Sequence, residues 1–185
     1  MKRIIVGISG ATGVEMGARL LEALRNIEDV ETHLIITDGA VNVLKYEAGK
    51  DVAEIKALAD VCYEADNLAA AVASGTFVTD GMIILPCSMK SLSAIANAYD
   101  DNLLVRAADV CLKERRKLVI CPRETPLNQI HIKNMLACDQ AGAVILPPVL
   151  SFYSKYDSVE GQIDHIIGKI LSQFGIEYDG FIPWK

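Results

Sequence analysis

A doubly wound α/β sheet, parallel and in one domain, is the architecture this sequence predicts, on three observations. Short apolar runs of four or five residues, such as IIVGI at 4–8 and MIIL at 82–85, alternate with longer segments that repeat apolar residues at helical spacing. The runs are apolar throughout rather than alternating, as in strands covered on both faces. Each ends in turn chemistry: SGATG after the first, PCS after the run at 82–85, PP at 147–148. Repeated strand–turn–helix units imply parallel connections, giving a Rossmann-like or flavodoxin-like layered sheet.

Residues 4–8 form the first strand, and Leu20, Leu21, Leu24 and Ile27 mark the helix after SGATG. Residues 33–37 form a second strand, followed by a helix-like segment at 39–48 and a polar break at 49–51. Residues 52–80 carry no clear period: NLAAAVASG allows a short helix, and SGTFVTDG reads as a ligand-side loop or short extended piece. The strand at 82–85 closes at Pro86, and a helix opens at 87–90 with serine as a natural N-cap. A helix over 102–116 leads into a strand at 118–121. Pro126 begins a further helix ending at Gly142, residues 143–146 form the fifth strand, and Val159, Ile163, Ile166, Ile167, Ile170, Leu171 and Phe174 trace an amphipathic final helix.

The 185 residues, 51% hydrophobic and 23% charged, suffice to bury one core, and no second domain, repeat or linker is marked. A formal net charge of -6 argues against general nucleic-acid binding, which needs a broad basic field. Five cysteines without a CxxC pair or a histidine cluster point to reduced thiols, with Cys62, Cys111, Cys121 and Cys138 packed in the core, and to no metal site. The first apolar run is too short for a signal sequence, and no run approaches the roughly 20 apolar residues that span a bilayer. A cytoplasmic location is expected.

Against the acidic background, residues 106–126 concentrate six basic side chains: Arg106, Lys113, Arg115, Arg116, Lys117 and Arg123. On a helix, Arg106, Asp109, Lys113 and Arg116 share a stripe opposite Leu103, Leu104, Ala107, Ala108, Cys111 and Leu112. This pattern implies a local anionic partner, although the helix dipole alone accounts for Arg115, Arg116 and Lys117. Arg123 and Glu124 emerge at a strand's carboxyl end, where open α/β sheets bind ligands. Gly7, Gly10 and Gly13 make GxxGxxG, a loop suited to phosphate at a helix N-terminus. With Asp38 it also permits a dinucleotide dehydrogenase, but the YxxxK of Tyr46 and Lys50 stands too early in the chain for a short-chain enzyme of that kind. A nucleophilic Cys87 requires a nearby base, and His33, His131 and His165 sit inside apolar elements as core or surface residues rather than bases.

Taken together, SGATG, Thr37, Glu47, ASGTF, GMIILPCSMKSLS, DNLLVRAADVCLKERRKLV, PRETPL, HIKNML, GAVILPP and FY resemble the UbiX/Pad1 family of flavin prenyltransferases over essentially the whole chain. The resemblance implies FMN as cofactor and dimethylallyl phosphate as donor, joined without metal at flavin N5 and C6 to give prenylated FMN for a UbiD-like decarboxylase. By motif position it implies FMN contacts at Gly10, Ala11, Thr12, Thr37, Ser88, Met89, Lys90, Ser91 and Arg123. It implies prenyl phosphate contacts at Tyr153 and Lys169, with Arg106, Lys113 and Glu124 near that phosphate. Phosphate departure would be stabilised by Lys113, Lys169 and Tyr153, Glu124 would relay a proton, Glu47 with Thr12 would steady the N5 region, and Trp184 would supply a π-rich wall. The resemblance also implies a homo-oligomer, a dodecamer built from trimers, in which Arg106 or Glu124 acts across an interface. The chain departs from the family at Thr12 (often serine), at Thr37–Asp38 (often serine-lysine), at LSFY for PAFY, and at Lys169 (often arginine). Two alternatives stand beside it: an FMN-dependent cysteine decarboxylase of the same fold, although PCSMKS replaces that group's PASANT-like turn, and a non-catalytic flavin-binding accessory subunit.

Overall fold

The computed structural model describes residues 1–47, 51–153 and 156–184. Lys50, and the end of the helix expected to reach residue 48, lie outside them. Six strands form one sheet: β1 (Lys2–Ile8), β2 (Val30–Ile36), β3 (Val61–Tyr63), β4 (Gly81–Cys87), β5 (Lys117–Pro122) and β6 (Val144–Ile145). Every pairing is parallel, and the order is β3-β2-β1-β4-β5-β6. The doubly wound expectation holds, with the strand order of dinucleotide-binding sheets and its reversal between β1 and β4.

Alternation within the apolar runs explains both layers. Ile4, Val6 and Ile8 of β1, with Ile83 and Leu85 of β4 and Val119 and Cys121 of β5, face one core. That core is closed by α1 (Val14–Arg25), α2 (Asp38–Glu47) and α7 (Val159–Ser172), with Ile55 of the short α3 (Val52–Lys56). Ile5, Met82, Ile84, Leu118 and Ile120 face the opposite core under α4 (Met89–Ala96), α5 (Leu103–Lys113) and α6 (Gln129–Ala141). Each fully buried aliphatic side chain contributes about 1.5–3 kcal/mol, so two continuous cores stabilise the sheet from both sides.

Several boundaries differ from the sequence expectation. The strands number six rather than five, because β3 lies in the unassigned stretch. It has only three residues and is held by pairing to β2 and by Tyr63 stacking on His33, neither of which leaves a local pattern. NLAAAVASG forms only a 3-10 turn, Ala71–Ala73. The helix expected from Pro126 begins at Gln129, because Asn128 caps it by accepting from the His131 N–H while the His131 side chain reaches back to the Asn128 N–H. α5 stops at Lys113, and Arg115 takes a left-handed φ of 57°. Gly7 belongs to β1 rather than to a phosphate loop. Cys62 is exposed on β3, whereas Cys87, Cys111, Cys121 and Cys138 are buried.

Candidate functional site

The carboxyl ends of β1, β2, β4 and β5 are tied together by backbone and serine hydrogen bonds. Thr37 N–H donates to Ile8 O at 3.0 Å, Ser9 N–H to Pro86 O at 3.2 Å, and Arg123 N–H to Cys87 O at 3.0 Å. The buried Ser9 hydroxyl donates to Pro86 O and accepts from Ser88 N–H at 2.8 Å, which joins β1 to β4 where the strand order reverses. Above this edge lies a cleft of about 670 Å³. Three turns meet there: Gly10, Ala11 and Thr12 before α1; Thr37, Asp38 and Gly39 at the start of α2; Ser88, Met89, Lys90 and Ser91 at the start of α4. Asn102, the N-cap of α5, and Arg123 and Glu124 after β5 complete the rim.

Local sequence explains the arrangement. The side chain of Ser88 accepts from Ser91 N–H at 3.2 Å and so caps α4. A Cβ on Gly10 would meet Gly39 C at 2.8 Å and its Cα at 2.9 Å, so the two loops touch backbone to backbone. Gly13 caps α1 with φ 92°, in the left-handed region, and provides no side-chain cap. Glu47, at the end of α2, supplies a carboxylate instead: its Oε2 accepts from Gly13 N–H at 2.9 Å.

All nine residues expected to contact FMN line this one cleft, and Glu124 lines it too. Its hydroxyls, backbone donors and four helix N-termini suit a phosphate, while Ala11, Met89, Ala94 and Val105 offer an apolar surface to a ring. Arg123 is exposed and forms no ion pair among the described residues. Lys90 lies 3.6 Å from Asp101, and Asp38 stands in the first turn of α2, where the dipole favours an acid. The chemistry of this donor set fits FMN. Asp66, Asp101 and Asn102 also line the cleft and were missed; an asparagine heading an apolar helical segment was the available signal for Asn102.

Other expected residues lie elsewhere. Tyr153 and Lys169 line a separate pocket of about 270 Å³ with Phe152, His165 and Ile166, and Trp184 stands edge-on to Tyr153 at 5.2 Å. An apolar groove of about 500 Å³ adjoins the smaller pocket, sharing Leu150 and Ile166 with it, and includes Gly13, the residue after the cleft-lining Thr12. Arg106 and Lys113 line neither cleft nor pocket. Arg106 is held by Asp100 at 3.1 Å, by Asp109 at 2.9 Å and by Ala73 O at 3.2 Å. Lys113 pairs with Glu114 at the far end of α5, which over its 11 residues carries it about 16 Å from the helix start at the cleft. Arg116 donates to Gly75 O and Phe77 O. The basic stripe is thus answered by acids and carbonyls of its own chain rather than aimed at this cleft. Cys87 provides no thiolate, since full burial pushes its pKa far above the usual thiol value.

A family model described as Flavoprotein matches residues 1–173. The flavin prenyltransferase UbiX of Escherichia coli (strain K12) is 49% identical over 187 residues, covering 100% of this chain and 99% of that one. The chain belongs to the UbiX flavin prenyltransferase family. Its structure matches AnUbiX (PadA1) in complex with FMN and dimethylallyl pyrophosphate with a TM-score of 0.97 at 47% identity, covering 100% of this chain and 97% of that one. A dodecameric FMN-dependent UbiX-like decarboxylase from Escherichia coli O157:H7 matches with a TM-score of 0.97 at 44% identity, over 99% of each chain. The peptidyl-cysteine decarboxylase EpiD matches with a TM-score of 0.62 at 18% identity, covering 81% of this chain and 90% of that one, and shares the fold alone with these UbiX-family chains.

Proposed function

We propose that this chain is a flavin prenyltransferase, joining the dimethylallyl group of dimethylallyl phosphate to N5 and C6 of reduced FMN and so supplying prenylated FMN to a UbiD-like decarboxylase. The observation that supports this reading most is the gathering of Gly10, Ala11, Thr12, Thr37, Ser88, Met89, Lys90, Ser91 and Arg123 in one cleft at the strand reversal. When bound, reduced FMN supplies the electron-rich atoms that accept the prenyl group. The cleft's helix N-termini and Arg123 would hold its phosphate, and Thr12 with Glu47 would steady the N5 region of the ring.

Tyr153 and Lys169 hold the prenyl phosphate and stabilise the charge that develops on its oxygen as the carbon–oxygen bond breaks. Trp184, edge-on to Tyr153, provides an aromatic face beside the prenyl group. Glu124, on the cleft rim, relays the proton released as the second bond forms. Lys113 is too far along α5 to serve the cleft of its own chain, and Arg106, one residue past the cleft-lining Val105, is held by Asp100, Asp109 and Ala73 O, so both act on the site of a neighbouring copy in a homo-oligomer.

Anaerobic incubation with reduced FMN and dimethylallyl phosphate, followed by mass spectrometry of the extracted flavin, tests the proposal. Gain of one C5H8 unit is expected; FMN that binds but returns unmodified would contradict it and favour an accessory role. Lys113→Ala and Glu124→Ala are expected to keep FMN bound while prenyl transfer becomes slow, and undiminished turnover would remove the roles given to these residues.

A further inference from the structure

His165 sits on the buried face of α7, 7% exposed, with Tyr153, Tyr156 and Phe181 rings at 5.5, 5.7 and 5.2 Å between centroids. Its Nε2 lies 3.3 Å from the Tyr153 hydroxyl. Its Nδ1 is buried without a hydrogen-bond partner among the described residues. A neutral imidazole has one donor and one acceptor nitrogen, and which is which follows from their partners. An orphaned buried N–H is rarer than an under-satisfied acceptor, so the proton belongs on Nε2 and the orphan at Nδ1 is a lone pair. Nε2–H then donates to the Tyr153 oxygen, and the tyrosine's own O–H proton is left for the pocket that Tyr153 shares with Lys169.

We propose that His165 is a positioning residue for Tyr153: by donating from Nε2 it turns the tyrosine O–H outward, to donate to an anionic phosphate oxygen held beside Lys169. The inference rests on the reading of this pocket as the prenyl phosphate site. With the opposite tautomer the tyrosine proton would point into the protein, and the pocket would present oxygen lone pairs to an anion. The surroundings support the neutral ring. Lys169 is the charged neighbour one turn along α7, and burial together with that ammonium moves the His165 pKa down from its usual value. The Tyr156 hydroxyl is engaged by Gly180 O and Ile182 N–H and does not compete for His165.

The test compares KM for dimethylallyl phosphate, kcat and FMN affinity in His165→Leu, His165→Asn, His165→Gln, Tyr153→Phe and the Leu/Phe double variant. Glutamine places an amide N–H where Nε2 stands; asparagine reaches only the Nδ1 position. Leu and Asn are expected to raise KM about tenfold, the effect of misdirecting one hydrogen bond to a charged group, and to lower kcat as well because Tyr153 meets charge that grows in the transition state, with FMN affinity changed much less. Gln is expected to restore KM, and Leu to add nothing once Tyr153 is Phe. An unchanged KM in Tyr153→Phe would overturn the pocket reading and the proposal with it. A raised KM in Tyr153→Phe with an undiminished further effect of Leu, or equal behaviour of Gln and Asn, would overturn the role of His165 alone; the Gln and Asn pair decides if the Leu variant does not fold.

Discussion

Gly10 illustrates how little freedom single positions in the cleft have. A Cβ there would press on the Gly39 backbone, which has no flexible side chain to move aside. Gly10→Ala must therefore part the β1–α1 and β2–α2 loops, at a cost of about 1–3 kcal/mol. Because both loops line the cleft, FMN titration is expected to show affinity weakened by about tenfold or more; an unchanged affinity would mean the loops accommodate the methyl without moving the site. The thiols make a second prediction at this scale. Of five cysteines only Cys62 is exposed, and burial pushes Cys138 up to about 11 and Cys111 up to about 12. A disulfide reagent at neutral pH is expected to modify one thiol per native chain and all five after denaturation; rapid modification of a second would show that a buried thiol is reached by local opening.

At the level of elements, the cleft depends on how its helices begin. Removing the cap in Ser88→Ala leaves Ser91 N–H without its acceptor and is expected to cost about 1 kcal/mol, a fall of about 2–4 °C in Tm for a chain of this size. A loss of FMN affinity accompanying that fall would mark the α4 N-terminus as part of the anion site, whereas stability loss alone would restrict Ser88 to capping. The starts of α1 and α4 were legible because strand ends and caps are written in local residues: SGATG and PCS each close an apolar run, whereas PRETP closes β5 but the cap of the next helix is Asn128. Other features depend on partners distant in sequence. Nothing near Arg106 announces that Ala73 O and Asp100 will hold it, and the direction in which α5 leaves the cleft, which separates Lys113 from Asn102, follows from the layer order rather than from the helical stripe. Three-residue β3 was illegible for the same reason: its order comes from β2.

Across the whole molecule, pH acts through buried histidine. His33 on β2 is 2% exposed, with Nδ1 3.0 Å from the Tyr63 hydroxyl and its ring edge-on to Phe77. Burial lowers its pKa from 6.5, outweighing nearby Glu31, so the native state favours the neutral ring while an unfolded chain protonates near the ordinary value. Its contribution is present above about pH 6.5 and is lost as the pH falls through that value toward the depressed native one; His165 acts in the same direction. Thermal unfolding from pH 7.5 down to 5.5 is expected to show a falling Tm that flattens in His33→Gln, and parallel curves would place the acid sensitivity elsewhere. At the same scale, co-expressing Lys113→Ala with Tyr153→Phe is expected to raise activity above either variant alone, since mixed oligomers contain sites in which both residues are intact. The lack of any recovery would return Lys113 to its own chain.

The sheet tapers at both margins, to three residues in β3 and two in β6. Stubs of that length offer few open backbone groups for another strand to extend. A second copy of this chain would therefore gain little by prolonging the sheet, and contact with it would fall to side chains on the outer layers, where Ile130, Ile132 and Leu136 of α6, and Phe152 beyond β6, lie exposed. Margins this short also leave little template for the edge-to-edge strand pairing from which fibres grow.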